Sequence, residues 1–139
     1  MGYKFYDHTA DVLFEAEGRT VDELFEAAGL ATEETQVDLK GVKLKIKKEI
    51  KLKNKSVEML LFNFLQELIF LKDAKLLLFS KIKVSVSEGK INKLKAVLEG
   101  EKIDPKKHEL RVDVKAVTLH RFEVKKTKTG WFARVILDI

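Results

Sequence analysis

The stretch from Val57 to Leu71 constrains this chain more than any other. Val57, Leu60, Leu61, Phe64, Leu65, Leu68 and Leu71 recur at helical spacing, and Met59, Phe62 and Phe70 widen the stripe. Ser56 stands where an N-cap belongs. The run is interrupted by Asn63, Gln66 and Glu67 and is too short to cross a bilayer. A helix this apolar has to lie at the centre of a folded domain, where each large side chain removed from water contributes roughly 1.5 to 3 kcal/mol. Its aromatics are therefore read as core rather than as cofactor contacts.

Around that helix the pattern is mostly of period two. Residues 2 to 6 and 12 to 17 read as short strands carrying Tyr3, Phe5, Val12 and Phe14. Thr20 and Glu23 form a capping box ahead of Val21, Leu24, Phe25, Ala28 and Ala31, which marks a first amphipathic helix ending near Thr35. From Val42 to Leu52 the even positions Val42, Leu44, Ile46, Ile50 and Leu52 are apolar, while Lys43, Lys45, Lys47, Lys51 and Lys53 share the other side. Later strands are expected over Ile82 to Val86 and Leu94 to Leu98, joined through Ser87 to Lys90 with Gly89 in the turn, and over Val112 to Val124 after the single Pro105. A turn at Thr129 and Gly130 leads to a closing strand, Trp131 to Asp138. Apolar parity is even at Val112 and Val114, odd at Val117 and Leu119, then even at Phe122, which predicts a bulge near Lys115 to Val117. The sum is an α+β fold with largely antiparallel sheet or sheets and two main helices, rather than a parallel βαβ wind. At 139 residues and 45% apolar content, residues 1 to 139 make a single compact domain.

Composition excludes several functions. There is no cysteine, which removes disulfides, thiolate metal sites and a Cys nucleophile, and suits a reducing cytoplasm. The first residues are charged and contain no secretory h-region, so the expectation is a soluble, cytoplasmic protein with no membrane partner. No glycine-rich phosphate loop, Gly-x-Ser-x-Gly elbow or His-Glu-x-x-His is present, and His8, His108 and His120 are too scattered for a ligand spacing. A stand-alone metalloenzyme or hydrolase is thereby disfavoured. Lys and Arg number 27 against 22 Asp and Glu, a net charge of +5 that could favour nucleic acid. A Lys-rich surface is also what high growth temperature selects, and the lysines of residues 42 to 53 are read first as the wet side of a half-buried sheet that discourages edge pairing. Direct RNA contact is left to a salt-dependence test.

What remains is a set of carboxylates. Asp7 and Asp11 bracket His8 and Thr9 in a short polar link, and Asp138 stands beside Ile139, whose α-carboxylate would sit next to the Asp138 side chain. With Asp11, these groups would make the hard oxygen cluster that Mg²⁺, Mn²⁺ or Ca²⁺ prefers. Taken on residues alone, turn and capping carboxylates are the simpler reading.

Phe5-Tyr6-Asp7-His8-Thr9-Ala10-Asp11-Val12 resembles the opening signature of the archease family, and Val135-Ile136-Leu137-Asp138-Ile139 resembles its ending. The segments Leu60 to Leu68 and Val114 to His120 match in order between them, so the resemblance spans essentially the whole chain. It implies a non-catalytic activator of the GTP-dependent, RtcB-type tRNA-splicing RNA ligase, promoting guanylylation of the ligase and repeated turnover. It further implies Asp11, Asp138 and the Ile139 carboxylate as ligands of a divalent ion (Ca²⁺, Mg²⁺ or Mn²⁺), with Lys115 as the basic residue near the partner or a phosphate. Asp7, His8 and His120 are weaker candidates, read as orienting or structural groups. The family has also been associated with a chaperone-like role toward a tRNA cytosine methyltransferase, which needs an exposed apolar surface and no metal.

Overall fold

The computed structural model describes residues 1–7 and 10–139. In chain order the elements are β1 (Gly2–Tyr6), β2 (Asp11–Gly18), α1 (Val21–Gln36), β3 (Ile46–Asn54), α2 (Val57–Lys75), β4 (Leu77–Ser87), β5 (Asn92–Lys102), β6 (Ala116–Lys126) and β7 (Trp131–Asp138). The strands form two sheets, β1-β2-β7-β6 and β3-β5-β4, and every pairing in them is antiparallel. Both helices start as the sequence dictates: Thr20 accepts from the Glu23 N–H and Ser56 from the Met59 N–H. Helix α1 packs on β2 and β4, and α2 on β6 and β3, so each helix touches both sheets.

The core is continuous through all of these elements. Phe14, Leu24, Phe25, Leu60, Leu61, Phe64, Leu65, Leu68, Phe79 and Leu98 are fully buried within it, and α2 supplies the largest share of them. One residue of α2 departs from the expected stripe: Phe70 is 54% exposed and points away from the core. Phe62 instead packs edge-on against Phe122 of β6, with ring centroids 5.6 Å apart.

Each sheet has an edge strand whose free N–H groups are taken by a helix. On β4, Val86 donates to Asp22 at 2.7 Å, Val84 to Glu26 at 2.9 Å and Phe79 to Glu33 at 2.7 Å. On β6, Val117 donates to Gln66 at 2.8 Å and Val124 to Glu58 at 3.3 Å. Asp22, Glu26 and Glu33 lie four and seven residues apart, which places them on one face of α1. The Phe79 bond falls at a register shift between Phe79 and Lys81, where Gly100 of β5 comes so close that an added Cβ would meet the Leu78 carbonyl oxygen.

Three strand expectations are corrected. The strand expected from Val42 begins only at Ile46, because Asp38 caps a 3₁₀ turn at Leu39–Gly41 and the Lys43 N–H is drawn to Glu101 at 2.6 Å. Val42 packs with Val37 and Leu78 in a small satellite cluster instead. The strand expected from Val112 begins at Ala116, since the Arg111 and Val112 N–H groups donate to the Gln36 and Thr35 carbonyls at the end of α1. The bulge is not at Lys115 to Val117 but between Thr118 and Glu123, where Arg121 adopts φ 55°. Conversely β4 and β5 run 11 residues each, longer than their apolar cores suggested.

Glu33 is fully buried, and that burial pushes its carboxyl up to about 8 despite the Phe79 N–H and nearby Lys72, both of which pull it down. The native state therefore holds a proton that the unfolded chain releases, so stability falls as pH rises from about 4.5 to about 8. Glu33→Gln keeps an oxygen for Phe79 and removes the titration. Its urea midpoint is expected to stay level across that window, and above it the variant should be the more stable by on the order of a few kcal/mol. A midpoint that falls with pH as steeply as the parent's would show that Glu33 is not the group responsible.

Candidate functional site

Antiparallel pairing brings the two ends of the chain together. Asp11, first residue of β2, is in register with Asp138, last residue of β7, and Asp138 is in register with Ala116, first residue of β6. The three form one row across the sheet. Directly opposed residues share a face, with Cβ atoms about 4.5 to 5.5 Å apart. Like charges directly opposed on one face of a sheet cost stability where no counter-charge is near. Asp11 is half-buried and Asp138 exposed, so the pair opens to solvent at the sheet's end.

Lys115 precedes Ala116 and its N–H donates to the Asp138 carbonyl at 2.8 Å. Helix α2 sets its position from both sides. Lys72, itself buried, donates to Asp113 at 2.5 Å and to the Val114 carbonyl at 2.8 Å, while Gln66 takes the Val117 N–H. Burial pulls the Lys72 ammonium down, but its bonds to Asp113 and Asp73 outweigh that and hold it above the usual lysine value. The sequence reading missed Lys72, although Phe64, Leu68 and Lys72 follow at four-residue spacing and put a cation on the buried face.

The weaker candidates divide. Asp7 follows Tyr6, the last paired residue of β1, at the same end of the sheet, and is exposed. His8 lies outside the described residues. His120 falls within the bulge and is exposed, away from the aspartate row. Ile139 is partly buried and packs against the core, which fixes the backbone beyond Asp138. His108 is structural: its Nδ1 accepts the Asp104 N–H at 2.9 Å, and its Nε2 lies 3.1 Å from Glu101. Lys107, the Lys43 N–H and His108 all favour the charged form of Glu101 and hold its carboxyl down to about 2.

The sequence model of the Archease protein family matches residues 3–139. The chain belongs to the archease family. Protein archease of Pyrococcus furiosus is 36% identical over 140 residues, covering 99% of this chain and 98% of that one. Protein archease of Archaeoglobus fulgidus is 37% identical over 139 residues, with all of both chains covered. The solution structure of Methanobacterium thermoautotrophicum protein 1598 superposes with a TM-score of 0.88 at 37% identity, covering 99% of each chain. A crystal structure from Thermotoga maritima, described as "an archease, possible chaperone", gives 0.65 at 25% identity, covering 98% of this chain and 96% of that one.

The donors that this archease fold gathers in the row are oxygens, the set that hard divalent cations take. Among the described residues no group of three His, Cys, Asp or Glu side chains converges, so an ion here would hold the two aspartates and complete its shell with other oxygens. Replacing Lys72 tests how the row is built. Lys72→Met leaves the buried Val114 carbonyl without its donor, at a cost of about 1 to 3 kcal/mol. Urea denaturation should report that loss, and backbone amide shifts should move at Lys115, Ala116 and Asp138. Unmoved shifts at those three residues would mean that the row is set by strand pairing alone.

Proposed function

We propose that this chain is a non-catalytic, cytoplasmic accessory protein of a GTP-dependent, RtcB-type tRNA-splicing RNA ligase, promoting guanylylation of the ligase and its repeated turnover. In this reading Asp11, Asp138 and the α-carboxylate of Ile139 hold a divalent ion (Ca²⁺, Mg²⁺ or Mn²⁺), and Lys115 contacts a phosphate or an acidic group of the ligase. The observation that carries it is the register of Asp11 against Asp138 with Lys115 bonded alongside. A surface built to keep two carboxylates opposed, next to a lysine anchored by α2, is suited to presenting charge to a polyphosphate site. A divalent ion there would neutralise triphosphate charge during nucleotidyl transfer. Lys115 supplies one more positive charge from the protein, and Ile139 keeps the end of β7 docked on the core.

The description of the Thermotoga maritima archease as a possible chaperone supports a second reading, a chaperone-like partner of a tRNA cytosine methyltransferase, for which the exposed Leu119 is a candidate contact. Light scattering of the methyltransferase separates the two, because suppression of aggregation there should be indifferent to Asp11→Ala and sensitive to Leu119→Ser.

The decisive assay counts products per ligase molecule on excess cyclic-phosphate RNA with GTP and Mn²⁺. Adding this protein should convert a single round into many. Asp11→Ala and Asp138→Ala should return the ligase to a single round while melting like the parent, and calorimetric titration with Mn²⁺ should lose its heat in both. Full activation by Asp11→Ala would sink the metal reading. A tag fused after Ile139, which converts its carboxylate to an amide, should weaken both activation and Mn²⁺ binding.

A further inference from the structure

The outward face of the β3-β5-β4 sheet carries a charge array that the aspartate row does not use. Register sets four rows across its three strands: Lys53, Lys93 and Ser87; Lys51, Lys95 and Ser85; Glu49, Val97 and Lys83; Lys47, Glu99 and Lys81. The alternate residues of the same strands, among them Ile50, Leu94, Ala96, Leu98, Ile82 and Val84, are buried in the core, so all four rows face solvent. Seven lysines and two glutamates give the face a net charge of +5, the same as the whole chain. With 27 basic and 22 acidic residues in total, twenty of each sign remain elsewhere and cancel. The entire excess charge of the protein is on one side of one sheet.

Ordinary surface roles do not account for this array. Lysines guard sheet edges against pairing, but β5 is the central strand and carries Lys93 and Lys95. Ion pairing covers little of it: Glu49 reaches Lys51 at 3.5 Å and Lys95 at 3.6 Å. Among the described residues, Lys47, Lys53, Lys81, Lys83 and Lys93 make no ion pair. Lys51 opposes Lys95 and Lys53 opposes Lys93 directly, an arrangement that costs stability. Glu49 offsets the first pair in part, but Lys53 and Lys93 have no ion-pair partner among the described residues, so that end of the face is arranged for a counter-charge from outside.

We infer that this face is a docking surface for the phosphate backbone of double-helical RNA. Strands about 4.8 Å apart and rows repeating every two residues make a field about 10 Å wide and 20 Å long, hollowed at the end where Lys51, Lys53, Lys93 and Lys95 line an open cavity of about 650 Å³. No aromatic residue lies in the rows, so bases have no platform to stack on as they do in single-strand readers. A face of that width does not enter the narrow minor groove of B-DNA, whereas the wide, shallow minor groove of an A-form helix presents phosphates and 2′-hydroxyls to it. Ser85 and Ser87 add hydroxyls beside the lysines for that purpose. An acidic protein partner fits less well, because Val97 is the sole apolar side chain in the rows and protein interfaces are depleted of lysine.

The test uses the full chain without ligase, so its outcome is independent of the accessory role proposed above. Fluorescence anisotropy would follow binding to a blunt RNA duplex of about 16 base pairs over a range of salt. The variant Lys51→Gln/Lys53→Gln/Lys93→Gln/Lys95→Gln is compared with one of equal net charge, Lys40→Gln/Lys75→Gln/Lys106→Gln/Lys128→Gln. The face variant should bind at least about tenfold more weakly and lower the log–log salt slope by roughly 3 to 4, while the control keeps most of both. It should melt no lower than the parent, since opposed like charges have been removed. Equal losses in both variants, absence of duplex binding, or tighter binding to polyglutamate or single-stranded RNA than to the duplex would each overturn the inference.

Discussion

The sealing of two strand edges by helix side chains is the interaction on which the rest of this molecule depends. A strand with an unpaired row of N–H groups either recruits another chain or pays to keep those groups wet. Here α1 takes the open edge of β4 through Asp22, Glu26 and Glu33, and α2 takes that of β6 through Glu58 and Gln66. Because the bonds are directional and come from fixed positions on each helix, they also set how far that helix slides along its sheet. A helix displaced by a turn would separate its acceptors from the strand's donors, and in α1 it would strand Glu33 and the Phe79 N–H without each other in the core. Packing alone, being non-directional, fixes position far less sharply.

That reciprocity explains what the sequence made legible and what it did not. The caps at Thr20 and Ser56, the apolar stripe of α2 and the final hairpin are local patterns, and each was readable from a few neighbouring residues. The strand starts near Val42 and Val112 were misplaced because long-range hydrogen bonds overrode a locally plausible alternation: Lys43 to Glu101, and Val112 to Thr35. Phe70 shows the same limit from the other side, since one residue beyond the stripe is indistinguishable by spacing from one within it. The parity switch around Val117 marks the start of β6 rather than a bulge, and it is the second switch, between Leu119 and Phe122, that coincides with the register shift.

The aspartate row was partly legible. Residue types and the two terminal motifs pointed to Asp11, Asp138 and Lys115, and strand register supplies the relation among them. What the sequence left out was support: Lys72 and Gln66 work from α2, more than forty residues from the segment that they hold. Side chains of this kind are recognisable only as polar intrusions on a buried helical face. Glu101 is similar, an ordinary-looking acid in a strand that gathers Lys107, Lys43 and His108 around it.

The pairing of β2 with β7 also has a kinetic meaning. Asp11 and Asp138 are 127 residues apart, so their juxtaposition closes the longest loop the strand pairings contain. Loop closure of that span costs entropy that nothing local repays, and contacts of high sequence separation form late in folding. A nascent chain that still lacks β7 therefore cannot display the opposed pair, and the charge arrangement at that end of the sheet belongs to the completed chain.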